Sequence, residues 1–375
     1  MANRTKTTAD VAIIGGGIMG SAVALRLVQR GVAVTVVERG IPGAEASSAA
    51  AGILGPQMEA DGPGPLLELG LASRALYPSL AAELRDATGI DVGYDRSGVL
   101  AVAFEEAGEA ELVQRQDWQQ RRGLNVARLS GDDARAREPA LGPAIRAALA
   151  FPDDAQVNAR ELARAFSQAA AAAGARFLTG RYVRRVVVER GVATGVELDG
   201  ETLPAGSVVV AAGSWSGVVE GSGVPSTVVR PARGQLVSIE TRPPLFRHVV
   251  SVHCGYLVPR RDGTVLAGST VEMAGFRKQV TVGGLAAILT LARTLVPALA
   301  DAPVTGTWSN FRPYTEDHLP VLGATPVRGL VLATGHFRNG ILLAPITAEA
   351  IAELVATGRS AIDLAPFSVT RFAKS

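Results

Sequence analysis

The sequence predicts a two-domain α/β protein, with a Rossmann-type domain on a parallel sheet and a second domain on a mostly antiparallel β-sheet. Three observations carry this reading. The chain opens on a strand–glycine turn–helix–strand–acid unit between residues 9 and 38. Two later apolar strands, at 208–212 and 329–335, also end in a glycine, Gly213 and Gly335. Between these, residues 224–305 change to short apolar runs separated by turn residues.

Residues 11–14 are a compact apolar run that reads as a buried strand. It breaks into Gly15, Gly17 and Gly20, spaced G-x-G-x-x-G, and a helical pattern follows over 18–29 with Ala22, Leu25 and Val28 on one face. After Gly31 a β-branched strand at 32–37 closes on Glu38. Gly15 permits the sharp turn, Gly17 lets a pyrophosphate approach the backbone, and Gly20 lets the helix sit against the sheet. The helix N-terminus offers free N–H groups to phosphates. Glu38 stands where an acid accepts hydrogen bonds from a ribose diol. This is a dinucleotide fingerprint, and alone it does not separate FAD from NAD.

Composition narrows the function classes. The 375 residues are 47 % hydrophobic and 19 % charged, enough for a large core in two domains. A net charge of +2 without a long basic stretch argues against a nucleic-acid partner. One cysteine, Cys254, excludes an intrachain disulfide and fits a reducing compartment, and with four histidines it leaves no set for a structural zinc site. The first ten residues are polar and charged, without a signal core. No run of about twenty apolar residues suggests a membrane span. The expectation is a cytoplasmic protein with neither a metal nor a membrane partner.

Along the chain, 40–43 is a loop and 46–55 a run of small residues, read equally as a ligand-facing backbone or as an Ala-rich helix start. Residues 66–88 are helical by the spacing of their leucines, 98–104 a strand, 105–122 a charged surface helix and 130–139 a short capped helix. Residues 151–154 form a turn. Asn158 opens a helix to 173 with Glu161 placed as in a capping box. Runs at 181–189, 193–198 and 208–212 read as a β-meander returning to the main sheet. Strands at 235–239, 256–259 and 264–268, with a helix at 282–295, make a sheet that roofs the site together with residues near 90–140. A last strand ending at Gly335 leads through 336–340 into a helix at 341–357.

Four distant segments thus converge: the glycine turn, the small-residue run, the loop at Gly213 and the loop at Gly335. An ADP moiety needs only the first, with Glu38, so the others favour a longer dinucleotide, FAD, lying through the protein. The helix after Asn339 would stabilise negative charge on a reduced flavin ring with its N-terminal dipole. Arg312 and Arg338 are candidates to bind a carboxylate bidentately.

The block at 335–345, Gly-His-Phe-Arg-Asn-Gly-Ile-Leu-Leu-Ala-Pro, resembles the C-terminal signature of the glycine oxidases, FAD-dependent amine oxidases related to D-amino acid oxidase and sarcosine oxidase. Stretches at 15–21, 48–55, 213–217, 230–235, 256–260 and 311–323 agree, in order, over nearly the whole chain. The resemblance implies a glutathione-reductase-type FAD-binding Rossmann domain from residues 1–89, 141–223 and 306–375, and a substrate domain from 90–140 and 224–305. It implies FAD contacts at Ile18, Met19, Glu38, Arg39, Ala46, Ser47, Ala51, Gly52, Ile53, Val183, His336, Phe337, Arg338, Asn339, Gly340, Ile341 and Leu342, beside Gly15, Gly17, Gly20 and Gly213 from the turns. It implies Arg312 on the substrate carboxylate, Arg338 at the substrate and flavin edge, and Tyr256 lining the pocket. His336 is expected to position backbone rather than act as a base, and Cys254 to be a small pocket or core residue.

Two departures bear on the substrate and not on the reaction class. The histidine of the His253-Cys254-Gly255-Tyr256 stretch is displaced by one residue, and Val271 stands where a pocket methionine is found. No cysteine lies near Arg312, so the FAD is expected to be non-covalent. The resemblance further implies oxidative deamination of glycine, sarcosine or small D-amino acids with oxygen as acceptor, a homotetramer, and onward use of the imine in the thiazole branch of thiamine synthesis. The alternative is a dehydrogenase of D-amino acids or secondary amines that passes electrons to a quinone or carrier.

Overall fold

The computed structural model describes residues 9–373. Most of the polar stretch at 1–10, on which the expectation of no signal core rests, lies outside them. Five parallel strands form the first sheet, in the order Leu330–Thr334, Glu201–Val210, Ala9–Ile14, Val34–Glu38 and Arg176–Thr179. Val321–Ala324 adds an antiparallel edge, and the pair Val183–Glu189 and Val192–Leu198 extends the first half of Glu201–Val210 as the expected meander. Strands buried on both faces read as continuous apolar runs, and Ala12, Ile13, Val36, Val208, Val209 and Val210 are fully enclosed.

The helices Ile18–Val28, Pro65–Thr88, Ala159–Ala172 and Gly340–Thr357 pack together on one face. Asn158 caps its helix by accepting from the N–H groups of Arg160 and Glu161. The reciprocal half of the expected capping box is replaced by a Glu161–Arg164 pair at 2.7 Å. A full capping box does form at Ser130 and Asp133.

The helix Gly340–Thr357 is long and apolar enough to qualify as a membrane span by length and composition, against expectation. It is 61 % buried, as a core helix. Pro345 lies inside it and has no N–H to offer the carbonyl of Ile341, four residues back. The buried Tyr77 hydroxyl donates to that carbonyl, and Ser73 Oγ donates to the next, Leu342 O, at 2.6 Å. One helix thereby satisfies the break in another.

The second sheet has eight strands, in the order Val304–Tyr314, Arg230–Glu240, Thr264–Gly268, Gly255–Pro259, Val249–Val252, Val99–Ala103, Ala147–Phe151 and Ala127–Ser130. All pairs are antiparallel except Val249–Val252 with Val99–Ala103. Two segments assigned to the first domain form strands of this sheet. Ala147–Phe151 pairs with Val99–Ala103, and Val304–Tyr314 runs its whole length along Arg230–Glu240, so the boundaries at 140/141 and 305/306 shift. The physical reason is local: an Ala-rich strand carries little β signal, and the second strand spans both compartments.

Tyr77→Phe leaves the buried Ile341 carbonyl without a donor, and we expect it to lower unfolding stability by about 1–3 kcal/mol. Denaturant midpoints check this; an unchanged midpoint would show that the helix break has another partner.

Candidate active site

A cleft enclosing about 1780 Å³, its open mouth included, runs between the carboxyl ends of the parallel strands and the second sheet. Ligands sit at this end of such sheets. The Gly15 N–H donates to Val37 O at 2.8 Å, and the Ala211 N–H donates to Ile14 O at 2.9 Å, so three strand ends meet at the glycine turn. Gly15 has φ +100°, which favours glycine, and a Cβ there would lie 2.7 Å from Ala211 O. A Cβ on Gly20 would lie 1.9 Å from Gly15 O.

The helix Ile18–Val28 starts at Gly17 with no side-chain cap, and Gly340–Thr357 starts at Asn339 with none. Gly17, Ile18, Met19, Gly340 and Ile341 line the cleft. Two helix N-termini therefore present N–H groups and partial positive charge to one cavity. This fits an elongated anionic dinucleotide. The Ile18 N–H is taken by Ser47 Oγ at 2.9 Å, which anchors the small-residue run beside the turn. That run is both things its sequence suggested: a helical turn, Ala46–Ala49, and then backbone facing the cleft at Ala51, Gly52 and Ile53. The Glu38 carboxylate accepts from the Gly16 and Gly40 N–H groups, each at 2.8 Å, so it braces the turn and stands at the cleft wall. The Thr334 hydroxyl donates to Gly213 O at 3.1 Å, joining the two other glycine-ended strands.

Of the residues expected to contact the cofactor, all line the cleft except Gly20 and Leu342. Gly20 acts through the close approach above. Leu342 faces the helix Pro65–Thr88, where a Cβ on Gly70 would touch it, because one step along the helix turns it away from the cleft. Trp215 was missed. Arg39 lies 3.7 Å over its ring and bonds Glu45 at 2.9 Å, and Phe276 stacks on it with 5.2 Å between centroids. Its only sequence signal was its place after a glycine-ended strand.

Arg312 lies on Val304–Tyr314 opposite Ala232, and its guanidinium crosses Gly234, where a Cβ would fall 1.9 Å from Nη1. It donates to Thr270 O at 3.1 Å and Ser269 Oγ at 2.7 Å. It has no carboxylate partner among the described residues. Thr270 is held in turn: Glu272 accepts from the Thr270 hydroxyl and from Gln235 Nε2, both at 2.6 Å, and pairs with Arg233. Arg338, at the same cleft, pairs with Glu59 at 2.9 Å. Tyr256 also lines the cleft.

His336 is 2 % exposed and its Nε2 meets the Thr347 hydroxyl at 3.1 Å. Burial pulls its pKa down to about 3, so the ring is neutral at physiological pH. Cys254 is exposed on the turn before Gly255–Pro259, which corrects the expectation of a pocket or core residue. Its side chain sits at a hairpin tip, where nothing packs over it. Val271 is 52 % exposed and outside the cleft lining, so the methionine position has no counterpart facing the cavity.

The family model described as FAD dependent oxidoreductase matches residues 10–354. The chain belongs to this family, and FAD is its cofactor. Within it, the similarity runs to glycine oxidases. That of Geobacillus kaustophilus (strain HTA426) is 40 % identical over 96 % of this chain and 97 % of its own length. The crystal structure of a glycine oxidase from Geobacillus kaustophilus superposes with a TM-score of 0.93 at 40 % identity, covering 97 % of this chain and 99 % of that one. A bifunctional protein ThiO/ThiG of Synechocystis is 37 % identical over 98 % of this chain, which spans 54 % of that longer protein.

Because His336 is neutral when folded and its unfolded pKa is about 6.5, its contribution to stability is complete above that pH and is lost as pH falls toward 3. We expect His336→Gln to flatten the fall in denaturation midpoint between pH 7 and pH 4, and to leave the acid limb of kcat/KM in place. An acid limb that disappears in the variant would restore His336 as a base.

Proposed function

We propose that this protein is an FAD-dependent oxidase of small α-amino acids with glycine as its leading substrate. The observation that carries the reading is Arg312, a cation without a carboxylate partner in a cleft whose other walls suit FAD. Arg39, Arg181 and Arg338 are balanced by Glu45, Glu201 and Glu59, so among the described residues Arg312 is the lining arginine left unpaired, which matches a monocarboxylate. A guanidinium fork grips such a group in two parallel hydrogen bonds. Ser269 and Thr270 hold the fork in advance, and Glu272 holds Thr270, so little side-chain freedom is lost on binding.

The glycine turn at 15–20, Glu38 and the loop at 336–341 would hold FAD, which would supply the acceptor for a hydride from the substrate Cα and the route of the electrons to oxygen. The chain supplies position: Arg312 fixes the carboxylate, Tyr256 limits the side-chain space, and the apolar walls exclude water, so orientation does most of the work. The substrate amine must be neutral for its lone pair to assist. Glycine, oxygen and water give glyoxylate, ammonia and hydrogen peroxide in equal amounts. Onward use of the imine in thiazole formation belongs to this proposal and is supported by the ThiO/ThiG likeness. So do a cytoplasmic location, supported by the single cysteine, and a homotetramer, supported by the family resemblance.

Arg312→Ala should raise the KM for glycine by roughly 100-fold or more, the loss of a charge-assisted pair, with the bound-flavin spectrum intact. Steady-state kinetics and absorbance check it; an unchanged KM would remove Arg312 from its role.

A further inference from the structure

We propose that Arg260 is a positioning residue for the cofactor: from the second sheet it fixes the peptide between Ala51 and Gly52 at the cleft wall and sets behind it a positive charge that forms no ion pair among the described residues. Arg260 follows the strand Gly255–Pro259, and its backbone is held in the hairpin turn by Thr264 O at 2.7 Å. Its guanidinium is half-buried and donates to Ala51 O at 2.6 Å and to Gln156 Oε1 at 2.9 Å. Both acceptors are neutral. The carboxylates that act on it, Asp262 and Asp95, are engaged elsewhere, Asp262 by the Thr264 N–H at 2.8 Å and Asp95 by Arg261 at 3.3 Å. Burial pulls the guanidinium down to about 10, which leaves it charged at neutral pH.

Ala51 and Gly52 line the cleft and Arg260 does not. The Gly52 backbone is clamped between the two elements: the Val157 N–H donates to its carbonyl at 2.9 Å, and a Cβ on Gly52 would lie 2.0 Å from Val157 O and 3.2 Å from Arg260 Nη2. In a planar trans peptide the Gly52 N–H points opposite to the Ala51 carbonyl, away from Arg260. That N–H has no acceptor among the described residues. A cation on the carbonyl polarises the peptide and strengthens its N–H as a donor. Arg260 stands one peptide behind the cleft lining, and its positive charge would favour the anionic, reduced form of a flavin ring bound there.

The proposal rests on FAD occupying the cleft and not on which amine is oxidised, and its test uses no substrate. The FAD-loaded protein and its Arg260→Met, Arg260→Lys and Gln156→Glu variants are titrated with sulfite, whose addition makes the ring anionic, and their flavin midpoint potentials are measured. Arg260→Met should weaken sulfite binding by about tenfold or more, the scale of one unit of differential charge stabilisation, and lower the potential. Arg260→Lys, which keeps the charge, should recover most of both. Gln156→Glu keeps the local shape and places a carboxylate on the guanidinium, so it should shift both in the same direction as Arg260→Met, and it decides the matter if Arg260→Met does not fold. Wild-type sulfite affinity and potential in Gln156→Glu, or equal losses in Arg260→Met and Arg260→Lys, would overturn the assignment.

Discussion

The approach of Gly20 to the Gly15 carbonyl is the contact on which the site depends. No side chain fits in that gap, so the helix Ile18–Val28 can press its first turn against the ends of three parallel strands. Pressed there, its first turn lines the cavity, with the Ile18 N–H taken by Ser47. Glu38 and Ser47 then brace the turn from either side with their own hydrogen bonds. The second uncapped helix, Gly340–Thr357, reaches the same cavity from the far end of the chain, and its proline break is made good by Tyr77 and Ser73.

The second sheet completes what the first begins. Its two longest strands, Arg230–Glu240 and Val304–Tyr314, run past the edge of their own layer and bring Gly234 and Arg312 to the cleft. Trp308 donates to Ala49 O at 3.0 Å and Arg260 to Ala51 O at 2.6 Å, so the cleft-lining run of the first domain is pinned by side chains of the second. The places of Arg312 and of the cleft-lining run at 49–53 are therefore set by one interface.

Where a close approach or a positive φ favours glycine, the sequence was legible: Gly20 lies against the Gly15 carbonyl, and Gly15, Gly213 and Gly335 end their strands at positive φ. Long periodic elements were equally plain, and the helix at 282–295 lies where its spacing put it. Seven short strands and the long Val304–Tyr314 were not seen, among them Ala147–Phe151, whose alanines carry little β preference, and Arg176–Thr179, whose ends are polar and exposed. Within the site, the contacts that escaped are tertiary. Nothing local marks Glu59 as the partner of Arg338, or Arg260 as the partner of Ala51, because each pair is more than two hundred residues apart and arginine has many uses. Cys254 and Val271 were misjudged for the matching reason: their neighbours in sequence line the cleft, and a hairpin tip and an exposed loop turn these two outward.

Anaerobic addition of glycine to the FAD-loaded protein, followed at the flavin absorbance near about 450 nm and then in air, tests the central claim most directly. Bleaching by glycine with rapid recovery in air is the predicted result. No bleaching by glycine, sarcosine, D-alanine or D-proline, or bleaching that air does not reverse, would contradict an amino acid oxidase.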